Sequence, residues 1–463
     1  MGLRPFVKVT EAANGRPGRP FTGVRERMPK VPAHQVTTRN LGAAYPFIAE
    51  AGLGRRGVVI GDDLLGGSFV FDPFELYAAG VVSNPNMVVF GQIGRGKSAF
   101  VKTFLWRQAV FGRRAWVVDP KGEYGDLADA WGVRPVALRP GGAIRLNPLD
   151  RGPEAGAASV GGVATEGTEA TARRRTELLA SLASACLGRS LAPRERAALG
   201  AALADTVAVH ANPTVPEVVE ALLAPSADAA RALRTERRDL LEDGRDVALE
   251  LRRLVHGDLA GMFDGPTTPG LDLSAPLVVL DLSALYTSAA LGVLMACATA
   301  WLQAALARTA GPGAGASDTG AAAGRFFLVV DEAWAILSNL GVARWLQSSW
   351  KLSRAFGVSN VAVLHRVSDL RSVGATDSEQ VALAQGLLSD SETRVVYAQS
   401  PGELEAASEL LSLSDTESDL LPQLRRGIAL WKVGQRSFLV QHRLSALEPY
   451  IVDTDAAMTG RVR

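Results

Sequence analysis

Residues 88–104, VVFGQIGRGKSAFVKTF, decide how the chain is read. An apolar run, Met87–Phe90, enters a loop with three glycines, and the loop opens into a Lys–Ser pair and a helix-compatible segment. Gly91-Gln92-Ile93-Gly94-Arg95-Gly96-Lys97-Ser98 meets the G-x-x-x-x-G-K-S pattern in full. A loop closing around a phosphate chain must turn its N–H groups inward, which glycine permits without a Cβ penalty. The helix opening near Lys97 adds its positive end. Nucleotide binding is therefore expected at Gly91, Gln92, Ile93, Gly94, Arg95, Gly96, Lys97, Ser98 and Ala99. The Lys97 ammonium would reach the β and γ phosphates of ATP, and the Ser98 hydroxyl would ligate Mg²⁺. The bland reading, a glycine turn beside a surface lysine, leaves the preceding strand and following helix unexplained. Lys102, further along that helix, is expected to be solvated or to face a partner.

Hydrolysis also needs a carboxylate near Mg²⁺ and a base for the attacking water, both at the C-terminal end of a buried strand. Three apolar runs end in Asp: AWVVD (Asp119), LVVLD (Asp281) and FLVVDE (Asp331). Only the last sets a glutamate beside the aspartate, so Asp331 is expected to hold the metal and Glu332 to face the water. Asp281, followed by Leu and Ser, fits a helix-capping role better. DPKGEY, 119–124, packs two acids and a lysine into a Pro/Gly turn after a strand taken to adjoin the cradle. In an open parallel sheet such a turn points into the ligand crevice. Glu123 is placed there to position water or to sense the γ-phosphate, with Lys121 pairing with it or with phosphate. Phosphoryl-transfer motors complete the site with an arginine, often from a neighbouring subunit. Lys351 and Arg354, in WKLSRAFGVS, and Arg394, in SETRVVYAQ, are the candidates. His365-Arg366, closing VAVLHR, stands where a polar residue would read the phosphate, or is a partly buried strand-end histidine.

Outward from these motifs, MVVF, AWVVD and PVALR alternate with helix-length segments, the rhythm of a parallel sheet. Residues 57–71 read as two short strands with a Gly/Asp turn. Residues 168–262 change to a period near 3.6, with Pro193 near one helix start and Thr214–Glu217 at capping-box spacing. The expected organisation is a leader, 1–44, flexible or partner-binding; a first α/β part, 45–167; a helical insertion, 168–262; and a second α/β part, 263–463. GIALWKV and SFLVQHRL, joined by GQR, read as a hairpin at the sheet's edge. Residues 309–324, all small, read as a surface loop. The apolar stretch 289–307 is interrupted by Thr299 and Gln303 and reads as a core helix rather than a membrane span.

The totals agree with a soluble globular protein: 463 residues, 47% hydrophobic, 21% charged, net charge +1. Of the basic residues 42 are arginine and seven lysine, so Lys97, Lys102 and Lys121 form a notable group. The even balance lends no support to nucleic-acid binding and does not exclude it. Cys186 and Cys297 support neither a metal cluster nor a disulfide framework, and favour a reducing cytoplasm. The start of the chain has no apolar run of signal-peptide type.

Taken in order, GRRGVVIGDD, SFVFD, GQIGRGKS, DPKGEY, RLNPLD, GMFDGPT, LVVLDLSAL, FFLVVDEAW, VAVLHRVSDL, SETRVVYAQ and LRRGIALWKVGQRSFLVQ resemble the ATPase domain of the VirB4/TraC-type conjugative transfer and type IV secretion ATPases, within the HerA/FtsK group. The likeness spans roughly residues 45–445. It implies a RecA-like P-loop NTPase domain, a mostly parallel central sheet flanked by helices, with an inserted all-helical subdomain. It further implies an oligomeric, hexameric ATPase powering DNA or protein transfer, using ATP and Mg²⁺. Implied partners are membrane-bound secretion or conjugation channel proteins, with double-stranded DNA or relaxase–DNA as substrate. The implied location is cytoplasmic, peripheral at the inner face of the membrane, with no integral membrane segment of its own. The alternative is a double-stranded DNA-translocating ATPase of the HerA/FtsK kind. Carried over, Lys97, Glu332 and Glu123 have catalytic roles, Asp331 holds metal, and Arg354 and Arg394 fall in arginine-bearing motifs. Where members have a Thr–Gln pair this chain has His365-Arg366. Either one substitutes for the glutamine sensor or the coupling of hydrolysis to motion is altered. The cradle also starts too early for the large N-terminal domain of VirB4 proteins, which a separate protein would then supply.

Overall fold

The computed structural model describes residues 52–150, 164–257, 260–272, 275–286, 291–309, 325–337, 343–344, 346–347, 350–351, 357–365, 386–388 and 390–452. The leader 1–44, Arg354 and Arg366 lie outside them. The described strands are β1 (Val58–Asp63), β2 (Ser68–Phe71), β3 (Met87–Phe90), β4 (Arg114–Asp119), β5 (Val136–Ala137), β6 (Leu277–Asp281), β7 (Phe326–Val330), β8 (Val358–Leu364), β9 (Thr393–Val396), β10 (Ile428–Val433) and β11 (Arg436–His442). They form one sheet in the order β2-β1-β11-β10-β9-β3-β8-β7-β4-β6-β5. From β9 to β5 every pairing is parallel; β10, β11, β1 and β2 continue it antiparallel.

Two expectations need correction. The β10–β11 hairpin is not at an edge: β10 pairs β9, β11 pairs β1, and β2 closes that side. β10 is apolar but for Lys432, and β11 buries Phe438, Leu439 and Val440 at its middle, which suits a place inside the sheet rather than a charged edge. Nor does β4 adjoin the cradle strand β3, because β8 and β7 lie between them.

The central strands are buried on both faces, and strand alternation divides their side chains between two cores. Val88, Phe90, Trp116, Val118, Leu328 and Val330 face one core; Met87, Val89, Ala115, Val117, Phe327 and Val329 face the other. The second face is covered by helices α1 (Pro73–Ala78), α2 (Lys97–Gln108) and α3 (Gly125–Ala130). There Phe69, Phe71, Phe100, Phe104 and Trp431 pack ring on ring at 5.0–6.5 Å between centroids. The first face meets the helices of the middle of the chain, α4 (Ala164–Leu187), α5 (Pro193–Val209), α6 (Val215–Leu223), α7 (Ala227–Ala232) and α8 (Arg237–His256), and also α9 (Leu291–Thr309).

Pro193 is the first residue of α5, and the Glu217 carboxylate accepts the Thr214 N–H at 2.8 Å ahead of α6. The helical segment is knitted in where RLNPLD meets FDGPT. Leu146 N–H donates to Met262 O at 2.8 Å, Asn147 N–H donates to the Thr267 hydroxyl at 2.9 Å, and Arg145 pairs with Asp264 at 3.0 Å. On α9, Leu294, Met295, Cys297, Ala298, Trp301 and Leu302 are buried, as a core helix requires. Among the described residues no helix is long and apolar enough to cross a membrane.

Candidate nucleotide site

The cradle is a left-handed bend at the end of β3. Gly91, Gly94 and Gly96 all have positive φ (153°, 77° and 112°), and a Cβ on Gly91 would sit 2.5 Å from the Tyr397 Cβ. Gly96 is the N-cap of α2 and has no side chain to bond the first amides, so these stay open toward an anion. Neighbouring elements brace the loop: Gln92 N–H donates to Ala398 O at 3.3 Å, and Gly427 N–H donates to Arg95 O at 2.9 Å.

Strand order brings the remaining groups in. Because β8 separates β3 from β7, the residue closing β8 falls between Lys97 and Glu332, and that residue is His365. Its Nδ1 lies 3.1 Å from Lys97 Nζ, and its Nε2 lies 2.5 Å from Glu332 Oε1 and 3.0 Å from Lys121 Nζ. The tautomer with its proton on Nε2 satisfies two of these contacts, donating to Glu332 and accepting from Lys97, while Lys121, itself a donor, bonds Glu332 rather than the ring. Lys121 pairs with Glu332 and not with Glu123. Lys97 also donates to the carbonyls of Gly91 and Gln92, the latter at 3.0 Å. Trp334 Nε1 takes the second oxygen of Glu332 at 2.5 Å. Glu332 itself has φ +52°, a left-handed conformation costing on the order of 1–2 kcal/mol outside glycine.

Burial lowers the Lys97 ammonium to about 8, against the pull of Asp331 and Glu332. Burial raises the Asp331 carboxyl to about 7, reinforced by repulsion from Glu332, Asp119 and Glu123. In Glu332 burial is overcome by the hydrogen bonds from His365 and Lys121, which hold the carboxyl at about 2. Asp331 accepts the Glu332 N–H at 2.9 Å. Such a buried, mutually repelling acid group calls for a cation. Among the described residues no three His, Cys, Asp or Glu side chains gather as a metal site. Magnesium takes one or two protein oxygens and completes its shell with phosphate and water, so it needs no such cluster.

Asp119 organises the DPKGEY turn. Its carboxylate accepts N–H groups from Lys121 at 3.2 Å, Gly122 at 2.9 Å and Tyr124 at 2.9 Å, so the turn presents Lys121 toward Glu332. The signal for this was an aspartate at a strand end followed by Pro and Gly, an Asx-turn composition. Asp281 accepts the Ser283 N–H at 2.8 Å in an Asx-type contact at the strand end, and the N-cap of the short helical turn that follows is Leu282, without a side-chain cap. Arg394 is engaged within its own chain: it donates to Ser391 O, Leu388 O and Leu411 O at 3.2–3.3 Å, the last at the end of helix α10 (Leu404–Leu411). That geometry makes it a cap for helix-end carbonyls of its own chain. Lys102 is not solvated but 1% exposed beneath the cradle, while Lys351 is exposed.

A cradle on β3, an Asp–Glu pair closing β7 and a polar residue on the strand between them define the P-loop NTPase fold of RecA-like type. Among solved structures the chain is similar to VirB4 of Thermoanaerobacter pseudethanolicus, with 22% identity and a TM-score of 0.67 over 86% of this chain and the whole of that one. The resemblance to the VirB4/TraC type seen in the sequence thus holds at the level of fold. A more distant likeness is to the plasmid coupling protein TrwB in complex with ADP and Mg²⁺, with 16% identity and a TM-score of 0.49 over 85% of this chain and 92% of that one. No family model matches the chain, and no curated protein matches its sequence.

Proposed function

We propose that the chain is a magnesium-dependent ATPase, one subunit of an oligomeric and hexameric motor that powers DNA or protein transfer through a conjugative or type IV secretion apparatus at the inner face of the membrane. The observation that carries this reading is the convergence of Lys97, His365, Glu332 and Lys121 at the open end of the parallel sheet, beside unfilled helix amides. The fold likeness to VirB4 over most of the chain supports the secretion context.

In this reading the amides of residues 91–99 and the Lys97 ammonium bind the phosphate chain, and Ser98 and Asp331 hold magnesium. Held there, magnesium would supply charge neutralisation for the phosphate chain. Glu332 aligns the attacking water. Little base strength is needed for a loose phosphoryl transition state, so a carboxyl near 2 suits alignment. His365 takes the sensor position, linking phosphate-binding Lys97 to water-aligning Glu332. Glu123 serves as an accessory acid, and Arg354 from a neighbouring subunit completes the charge balance. The helices of 168–262 form an inserted subdomain on the first core face.

The test is steady-state ATP turnover at rising protein concentration, with and without double-stranded DNA. Turnover per subunit should rise as subunits assemble, and Glu332→Gln should bind ATP while losing at least about a hundredfold in turnover. Turnover unchanged by Glu332→Gln would overturn the site. Stimulation by DNA, lost as salt is raised, would favour the HerA/FtsK-like pump over a secretion motor.

A further inference from the structure

Three donors crowd the Glu332 carboxylate. His365 Nε2 and Lys121 Nζ both bond its Oε1, and Trp334 Nε1 bonds its Oε2 at 2.5 Å. An ionised carboxylate offers about four acceptor sites, two on each oxygen, so Oε1 has none left for a water. The glutamate itself is fixed in place. It is 1% exposed, its backbone stands at φ +52°, and the Trp334 bond anchors its other oxygen.

Parallel register brings Lys121 to it. Val118 of β4 pairs Val330 of β7, and Asp331 N–H donates to Val118 O at 3.2 Å, so the residues just beyond the two strands face one another. Gly122 has φ +71°, and a Cβ there would lie 3.1 Å from the Ser283 Cβ, so the turn is closed against the β6 side. Of the ion pair, Lys121 is the member free to move. Its side chain is 22% exposed, and its ammonium lies 5.7 Å from the centroid of the Tyr286 ring, a loose cation–π contact. Its Nζ also stands 3.0 Å from His365 Nε2, where two hydrogen-bearing nitrogens meet without a bond. The other ring nitrogen, Nδ1, lies 3.1 Å from Lys97 Nζ. One imidazole therefore separates Lys121 from the ammonium that faces the β and γ phosphates.

We propose that Lys121 is a brake on Glu332 that the γ-phosphate releases. Lys121 occupies an acceptor site of the glutamate until a bound triphosphate draws its ammonium onto the γ-phosphoryl oxygens. A terminal phosphate carries close to two negative charges, so it outcompetes a carboxylate for the lysine. Glu332 Oε1 then has a free acceptor site for the attacking water. ADP lacks the group that reaches Lys121 and leaves the brake on. The contact thus discriminates triphosphate from diphosphate. It rests on the ATPase reading above and deepens it, giving that same site its regulation.

The experiment measures equilibrium binding of fluorescent ADP and of a fluorescent non-hydrolysable ATP analogue, both with magnesium. The full chain is compared with Lys121→Met, Glu332→Gln and the double variant. Lys121→Met should lower the preference for triphosphate over diphosphate about tenfold or more. Glu332→Gln frees the lysine, so it should tighten the triphosphate analogue severalfold and leave ADP unchanged, and the gain should vanish in the double variant. A wild-type preference in Lys121→Met overturns the brake. So does a gain that persists in the double variant, which is relief of charge repulsion alone. If Lys121→Met fails to fold, Glu332→Gln decides by itself: an analogue bound no tighter than by wild type overturns the brake. A wild type that binds neither nucleotide overturns the ATPase reading, and the brake with it.

Discussion

Burial acts on both members of the Asp331–Glu332 pair with opposite results. Asp331 rises to about 7, whereas in Glu332 the His365 and Lys121 hydrogen bonds overcome burial and hold it at about 2. The consequence for stability follows from the sign. Asp331 has a folded pKa above its ordinary value of 3.8, so ionising it costs the folded protein more as pH rises from about 4 to 7. Asp331→Asn removes that charge and keeps an oxygen for the Glu332 N–H. In EDTA at pH 8 the variant should be more stable by on the order of 2–4 kcal/mol. The gain should shrink as pH falls from 7 toward 4. Thermal melts across that range check it, and a wild type as stable as the variant at pH 8 would refute the burial argument. From residue types alone the acid pair was legible, but not the pairing of Lys121 with Glu332. That contact joins side chains from β4's turn and β7, and no spacing encodes it.

The cradle is set by its backbone as much as by its lysine. Gly91 has φ +153°, and any Cβ there meets Tyr397, a residue that follows β9. Gly91→Ala is therefore expected to cost on the order of 1–3 kcal/mol and to abolish tight ATP binding. Chemical denaturation and nucleotide titration measure both, and an unchanged midpoint with normal binding would show that the loop is looser than described. The strand, glycine loop and helix were readable because N–H exposure and helix capping are local properties. Tyr397 as the wall of the loop was not, since it sits hundreds of residues away in sequence. The β10–β11 hairpin shows the same limit: its strands and turn were local, but its interior place was decided by the pairing of β11 with β1.

At the scale of the molecule, the helices of 164–256 share a core with the sheet. Leu178, Leu182, Val218 and Leu251 belong to the same cluster as Leu280, Trp301 and Leu328. A packed core shared in this way should lose its parts together. Far-ultraviolet circular dichroism, which reports the helices, and tryptophan fluorescence, which reports Trp116, Trp301 and Trp431 in and beside the sheet, should give coincident denaturation curves. Helical signal lost well before the tryptophan change would mean that the insertion folds by itself.

The amino-acid sequence by itself determined the glycine loop after β3, the strand-end acids, the alternation of strand and helix, and the helical middle of the chain. Each of these depends on neighbours in sequence, through glycine's freedom at positive φ, hydrophobic period and helix capping. Only the tertiary structure decided the order β3-β8-β7-β4, and with it the meeting of Lys97, His365, Glu332 and Lys121 and the burial of Lys102. Parallel strands are ordered by crossovers whose packing is spread over the whole sheet, so which charges face one another is a property of the assembled core.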